Sequence, residues 1–490
     1  MTIDLRRRAA MLATSAAALP SAWAATPGLD APPLPLPARP VVLPPLHEQR
    51  LANGLTLIAA PRRGVPLVHA VLLLRVGAEA DPAGRAGLAA MTAALLTKGA
   101  RRGGRTVGAA EIARQAEALG GTLDSGSSWR QASIGMTVTS PRLGEALSLM
   151  ADSTLAPTLA AGEFERARTQ ALDGLRVSLD SPGELGAMVA RRVFWGDTTF
   201  GQVTTLASLG RMTAADVGDF HGGWYRPADA ALVLAGDIDE AQAWKWAQRL
   251  FGSWASPPGA RRAVPAAAAL SANQRSVLVE LPGSGQSSVL LALPFVATGA
   301  PERRVAQVAN MALGGGYSAR LNQEIRIRRG LSYSVSSDTE SHPVGGMLLA
   351  QAQTGHPNAV QVLQVMREEV AKLAQVELPA DELAARQATL IGSFGRRVET
   401  AQGLATLVAG QWVQGRPLAE LASYVEQVQA VTPAQVRDFA QRTWAVDGQR
   451  GVIVGDLKAT GAALESVQGP VQRLDAARLD LERAGLEVVK

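Results

Sequence analysis

Two rhythms of polar and apolar positions alternate along this chain. Residues 54–60 (Gly-Leu-Thr-Leu-Ile-Ala-Ala) and 67–76 are short, apolar and rich in branched side chains, which predicts two strands paired with each other. Over residues 87–96 the spacing becomes helical. A second helix covers 111–119 and stops at Gly120-Gly121, and residues 132–139 alternate as a strand does. Residues 142–153 and 162–179 continue as helices. The same order then returns, with strands predicted at 277–281 and 288–294, a helix at 303–313 and a strand at 347–354.

Two passages repeat outright. Residues 213–220 (Thr-Ala-Ala-Asp-Val-Gly-Asp-Phe) match 432–439 (Thr-Pro-Ala-Gln-Val-Arg-Asp-Phe), and 232–237 (Leu-Val-Leu-Ala-Gly-Asp) match 451–456 (Gly-Val-Ile-Val-Gly-Asp). Thr213 and Thr432 are 219 residues apart, as are Asp237 and Asp456, so no gap intervenes and a duplication is implied. Punctuation agrees. A proline-dense spacer covers 25–45, and a second Pro-Pro-Gly stretch opens a linker at 256–272. The predicted fold is therefore α+β, two duplicated sandwich domains over 46–255 and 273–490, each a mainly antiparallel sheet with helices packed on one face.

Composition narrows the class. At 490 residues the chain is too long for one core, and 47% apolar with 19% charged residues is the balance of a soluble globular protein. No stretch after the N-terminus approaches eighteen uninterrupted apolar residues, so no membrane span is expected. Residues 1–24 read as a signal peptide: Arg6, Arg7 and Arg8 precede a small apolar run, and Ala22-Trp23-Ala24 supplies a cleavage pattern. The arginines permit a Sec or a twin-arginine route, and the expected location is periplasmic or otherwise exported. There is no cysteine, hence no disulfide and no lipidation site. The net charge of +5 is dispersed and aromatics make up 4%, which excludes a nucleic-acid platform.

Residues 87–100 read Gly-Leu-Ala-Ala-Met-Thr-Ala-Ala-Leu-Leu-Thr-Lys-Gly-Ala. By itself this is an alanine-rich helix suited to close packing. With its flanks it resembles the zinc helix of the pitrilysin/insulinase family of inverted-motif metallopeptidases, approximately Gly-Leu-Ala-His-x-x-Glu-His-Met-x-x-Lys-Gly-Thr. There, two histidines four apart grip one zinc and the glutamate polarises the attacking water. Here those positions are Ala90, Ala93 and Ala94, and the family's downstream glutamate ligand falls at Asp173-Gly174. The five histidines (His47, His69, His221, His342, His356) never fall at helical ligand spacing, and His69 reads as a satisfied core histidine. The resemblance implies a degenerate zinc motif and no metal in this chain.

The second half carries a closer likeness. Residues 313–335 resemble the family's C-terminal line: a glycine loop (Gly314, Gly315, Gly316), Ser-x-Arg-Leu leading a helix, then an arginine and a tyrosine seven apart, here Arg326 and Tyr333. The resemblance implies that this pair holds substrate beside a metal and contacts the transition state. Arginine offers a rigid fork of donors, and a tyrosine hydroxyl can donate to a developing oxyanion. A helix over 318–329, ended by Gly330, is expected to present the arginine, with the tyrosine opening a strand. From the residues alone, Arg326, Arg328 and Arg329 also fit a solvated helix end, and Tyr333, alternating with Leu331 and Val335, fits a buried strand face. The glycine loop lacks the Gly-Lys-Ser/Thr of a phosphate loop, so flexibility or close backbone approach is the better reading.

The resemblance implies a zinc-free subunit of a heteromeric metallopeptidase. It would hold no cofactor itself and would pair as a heterodimer with a zinc-bearing homologous subunit, with unfolded peptide as substrate. Peptide would add as a strand at a sheet edge, at residues 119–125 (Leu-Gly-Gly-Thr-Leu-Asp-Ser), where Asp124 departs from the family line. The alternative is a non-proteolytic scaffold or peptide-binding protein derived from the same family. A serine or cysteine hydrolase finds no nucleophile elbow, since residues 283–287 (Gly-Ser-Gly-Gln-Ser) do not fit one. Residues 471–490, heptad-like in places, are expected to form a helix of no assigned role.

Overall fold

Residues 230–236, Ala-Ala-Leu-Val-Leu-Ala-Gly, carry no polar side chain, and such a run is at home only as a strand covered on both faces. A computed structural model, which describes residues 40–256, 276–467 and 470–487, puts it in the middle of a sheet. The strands of that sheet are β1 (His47–Arg50), β2 (Thr56–Pro61), β3 (Leu67–Leu74), β4 (Asp124–Ser127), β5 (Ala132–Thr139) and β6 (Ala230–Gly236), in the order β1-β2-β6-β3-β5-β4. Here the expected pairing of residues 54–60 with 67–76 is corrected. β6 lies between them, parallel to β2 and antiparallel to β3, because a local hairpin would have left the wholly apolar strand without its two neighbours. The signal peptide, residues 25–39 of the spacer and all but the first residue of the linker lie outside the described residues.

The second sheet repeats the first. Its strands are β7 (Ser276–Glu280), β8 (Ser287–Phe295), β9 (Ser332–His342), β10 (Gly345–Thr354), β11 (Arg450–Gly455) and β12 (Val471–Asp475), in the order β9-β10-β8-β11-β7-β12. Read from the other edge, five positions coincide strand for strand, with β11 in the place of β6. Only the sixth differs: β1 comes from the start of the first half and runs antiparallel to its neighbour, whereas β12 comes from the chain's end and runs parallel. Residues 471–475 are thus a strand and not the expected helix. β7 offered an unpaired edge, and the ladder it supplies outweighs a weak heptad pattern in a polar segment. The helices before β6 and β11, Ala214–Trp224 and Pro433–Thr443, open on the repeated threonines, Thr213 and Thr432, each in a reciprocal capping box.

As expected, helices of each half pack on one face of its sheet; Leu88 and Leu95, with Leu147, Met150 and Phe220, cover Leu57, Leu72, Ile134 and Leu232 in the first. The opposite face is covered too, by a helix from the other half. Pro182–Trp195, from the first half, buries Leu185, Val189, Ala190 and Val193 against Val277, Leu290, Val452 and Val454 of the second sheet. Gly186 allows the approach, since a Cβ there would stand 2.5 Å from Leu290 Cδ1. In return Ala401–Val413 lies across β3 and β6, and Arg75 of the first half stacks 3.8 Å above Trp412. This exchange is why β6, and β11 after Arg450, are apolar and buried instead of alternating.

A second junction joins the halves through rings. His342, at the end of β9, stacks 4.5 Å from Phe200 and stands edge-on to Trp129 and Trp195, each 5.3 Å away. Beside it Glu340 accepts from Trp195 Nε1 at 2.8 Å and from Arg191. Burial raises the Glu340 carboxyl, but His342, Arg191 and Trp195 together outweigh burial and hold it below the usual carboxylate range.

Candidate functional site

The helix that carries the three alanines is α1 (Leu88–Leu95), and its setting is tightly built. Gly87 before it has φ +98°, a left-handed conformation that favours glycine, and a Cβ there would meet Thr204 Oγ1 at 2.8 Å. Asp81 closes the helix start, accepting from the N–H groups of Gly87 and Ala89 at 2.7 Å each. Burial drives its carboxyl up to about 7, against the pull of those N–H groups and that of Leu88. Ala90 and Ala94, four residues apart, share the exposed side of α1, whereas Ala93 is fully buried. Beside Ala90 is a cavity of about 210 Å³, walled by Asp81, Ser127, Trp129 and Thr204 among others.

Zinc requires about four donors at bonding distance, and these residues do not supply them. The alanine side chains have no lone pairs. On helix α2 (Ala161–Leu179), which packs against α1, Asp173 is exposed and paired with Arg176 at 2.6 Å, and Gly174 has no side chain. Among the described residues no group of three or more His, Cys, Asp or Glu is placed to hold a metal ion. His69 sits half-buried on β3, with Nδ1 2.8 Å from Thr137 Oγ1 across the ladder, and burial lowers its pKa. It is satisfied where it stands.

In the second half the sequence-marked residues come together. The helix after the glycine loop is held at its start: Arg386 donates to Ser318 Oγ and the Ser318 carbonyl at 2.6 and 2.7 Å, and Arg320 makes a two-pronged pair with Glu382 at 3.1 and 2.9 Å. It is not the regular α-helix over 318–329 that periodicity predicts, for residues Asn322–Arg328 wind as a π-helix. Gly330 ends it at φ +60°, as expected, and its N–H donates to the Arg326 carbonyl at 3.2 Å. Arg328 and Arg329 both turn to Glu324, and Arg329 also to Glu368. Arg326, alone among the arginines of this helix, has no carboxylate partner among the described residues.

Tyr333 belongs to β9 but not to its buried face. Ser332 pairs with Thr354 and Val335 with Ala352, so three steps on β9 answer two on β10. That bulge breaks the alternation and turns Tyr333 outward, where it is 84% exposed. Its ring centroid lies 4.7 Å from the guanidinium carbon of Arg326. The glycine loop joins them: Gly314, Gly315 and Gly316 line a cavity of about 330 Å³ together with Arg326, Ser334 and Asp338. Gly314 is there for close approach, since a Cβ would meet Ser337 Oγ at 2.6 Å, and the Ser337 N–H donates to the Gly314 carbonyl at 3.0 Å.

A residue that sequence reasoning passed over, Tyr317, sits on the same rim, its ring centroid 5.2 Å from the Arg326 guanidinium. The signal available was an aromatic directly after three glycines, in a chain with four tyrosines. The site therefore offers a fork of N–H donors, with no carboxylate partner among the described residues, between two exposed rings at a serine- and glycine-lined hollow. Such a surface can bind a carbonyl or carboxylate of a chain laid across it. It shares no wall with the cavity beside Ala90.

Comparison with known proteins agrees with the two-sheet fold. Residues 58–186 match a family model described as insulinase (peptidase family M16), and residues 211–390 match one described as the peptidase M16 inactive domain. An uncharacterized zinc protease of Streptomyces coelicolor is 25% identical over 69% of this chain and 75% of its own length. A protease from Helicobacter pylori superposes with a TM-score of 0.78 at 20% identity, covering 84% of this chain and 100% of that one. A structure described as the peptidase M16 inactive domain from Pseudomonas fluorescens gives 0.75 at 23%, covering 84% and 98%. No described helix is long and apolar enough to cross a membrane. The two domain models together span most of the two-sheet architecture, and the chain belongs to the insulinase (M16) family of peptidases.

Proposed function

We propose that this chain is the zinc-free subunit of an exported M16 peptidase pair. On this reading a homologous subunit brings the zinc helix and zinc itself, and this one contributes Arg326 and Tyr333 to hold unfolded peptide. The signal-like N-terminus supports a periplasmic location. The observation that carries the reading is Arg326: a guanidinium without a carboxylate partner among the described residues, set against an exposed tyrosine, in a chain whose own zinc helix has alanine at every donor position. An interaction surface explains an exposed Tyr/Arg pair on rigid elements better than a solvated helix end does, since the neighbouring arginines at that end are already neutralised.

The test is reconstitution. The chain is purified alone and with a homologue that has both metal-binding histidines, and bound zinc and peptide cleavage are measured. The lone chain should hold no zinc and cleave nothing, and the pair should do both. Within the pair, Tyr333→Phe should lower turnover about 10²-fold if its hydroxyl meets the oxyanion, and Arg326→Ala should lower it without separating the subunits. Zinc-dependent cleavage by the lone chain would overturn the proposal.

A further inference from the structure

Long arginine side chains on a surface normally trade rotamer freedom for an ion pair. Arg320, Arg328 and Arg329 do so. Arg326 has two rings instead, Tyr333 at 4.7 Å and Tyr317 at 5.2 Å from its guanidinium carbon, both within cation–π range. Tyr317 is 67% exposed, far more than an aromatic ring adopts for its own stability. Yet its backbone is tightly held. Its carbonyl accepts a hydrogen bond from the side chain of buried Asn322, and the next residue, Ser318, is gripped by Arg386. An exposed ring on a fixed base, aimed at a guanidinium, is a support.

We propose that Tyr317 is a positioning residue. Together with Tyr333 it cradles Arg326, so that the N–H donors of the guanidinium, unclaimed by a carboxylate of the described chain, meet a carbonyl or carboxylate of an extended peptide lying over the glycine-loop cavity. The cradle lowers the ordering cost of the arginine before the ligand arrives. Cation–π attraction of this kind needs the ring and not the hydroxyl, so phenylalanine serves in its place. The inference rests on the reading of Arg326 as a peptide-binding residue, and the experiment separates the two.

Fluorescence anisotropy of fluorescein-labelled casein, an unfolded polypeptide, is measured against the full exported chain without any partner. Wild type is compared with Tyr317→Leu, Tyr317→Phe, Arg326→Ala and the double variant Tyr317→Leu/Arg326→Ala, with thermal midpoints recorded alongside. Tyr317→Leu should weaken binding about three- to fivefold with an unchanged midpoint, Tyr317→Phe should restore it, and the Tyr317→Leu effect should vanish in the Arg326→Ala background. If Arg326→Ala weakens binding while Tyr317→Leu does not, or if Tyr317→Leu costs the same in both backgrounds, the positioning role is wrong and the Arg326 reading survives. If wild type and Arg326→Ala bind alike, both fall together.

Discussion

The same place in the two halves has come to opposite ends. After the strand β3 in one half and β8 in the other, the chain turns into a helix, α1 or residues Arg303–Leu313, and then returns to an edge strand, β4 or β9. In the first half the helix keeps its costly features, the left-handed Gly87 and the buried Asp81 that seals its start, while Ala90 and Ala94 leave its outer face blank. In the second half the loop and edge strand carry a guanidinium between two exposed rings. On the proposed reading scaffold and chemistry are separable: the tight setting of the helix stands where the donors do not. What maintains the blank half is its packing, because its sheet is half the shelter of a helix from the other half.

That mutual shelter gives the largest expected effect. Val189 is fully buried between the halves, against the second sheet. Val189→Asp would place an unpaired carboxylate there and should cost about 4 kcal/mol, read as a lower midpoint in urea for the whole chain. If only the second half lost structure, the two halves would be independent, and the comparison above would lose its explanation.

The next effect tests the sealed helix. The Asp81 carboxyl titrates in the folded chain at about 7, above its unfolded value of about 3.9, so the folded state holds the proton more tightly. Stability is then fullest below about pH 4 as far as this group is concerned, and it falls as pH rises from about 4 to 7, by a few kcal/mol. Asp81→Asn should flatten that slope while keeping an acceptor for one N–H. A wild type whose urea midpoint does not move over this range would mean that the backbone donors win over burial, and that the capping carboxylate is ionised throughout.

Much of this was legible from residues alone, and the failures have physical causes. Residues 132–139 and 303–313 alternate or repeat cleanly because one face is core and one is not, and both elements have the expected bounds. The pairing of β2 with β6 and the exchange of helices are contacts between residues far apart in sequence, which local periodicity does not encode. The hint was there in the unbroken apolar runs of β6 and β11. In the candidate site, Arg326 and Tyr333 were found by their motif, but the π-helix and the bulge that aim them break the periods on which such reading depends.

A smaller effect asks whether only the donors are missing from α1. Ala90→His/Ala94→His puts two imidazoles four residues apart on the exposed side of a helix, a spacing that suits one zinc. The double variant should bind zinc at least about tenfold more tightly than wild type by calorimetry, roughly 1.4 kcal/mol, and should still cleave nothing because Ala93 supplies no carboxylate to polarise a zinc-bound water. An affinity unchanged from wild type would show that the helix itself has moved from its metal-holding pose, and scaffold and chemistry would then have decayed together.

The smallest effect is the sharpest for the second half. A tyrosine packed on a strand's inner face costs about 3 kcal/mol or more when cut to alanine, whereas one standing free of the core costs little. Tyr333, turned outward by the bulge, belongs to the second kind. Tyr333→Ala should therefore leave the urea midpoint within about 0.5 kcal/mol of wild type, the loss being confined to its contact with Arg326. A large destabilisation would return Tyr333 to the core and remove half of the proposed site. A small one leaves an aromatic side chain that the fold does not need for its own stability, as the proposed role of Tyr333 in holding peptide requires.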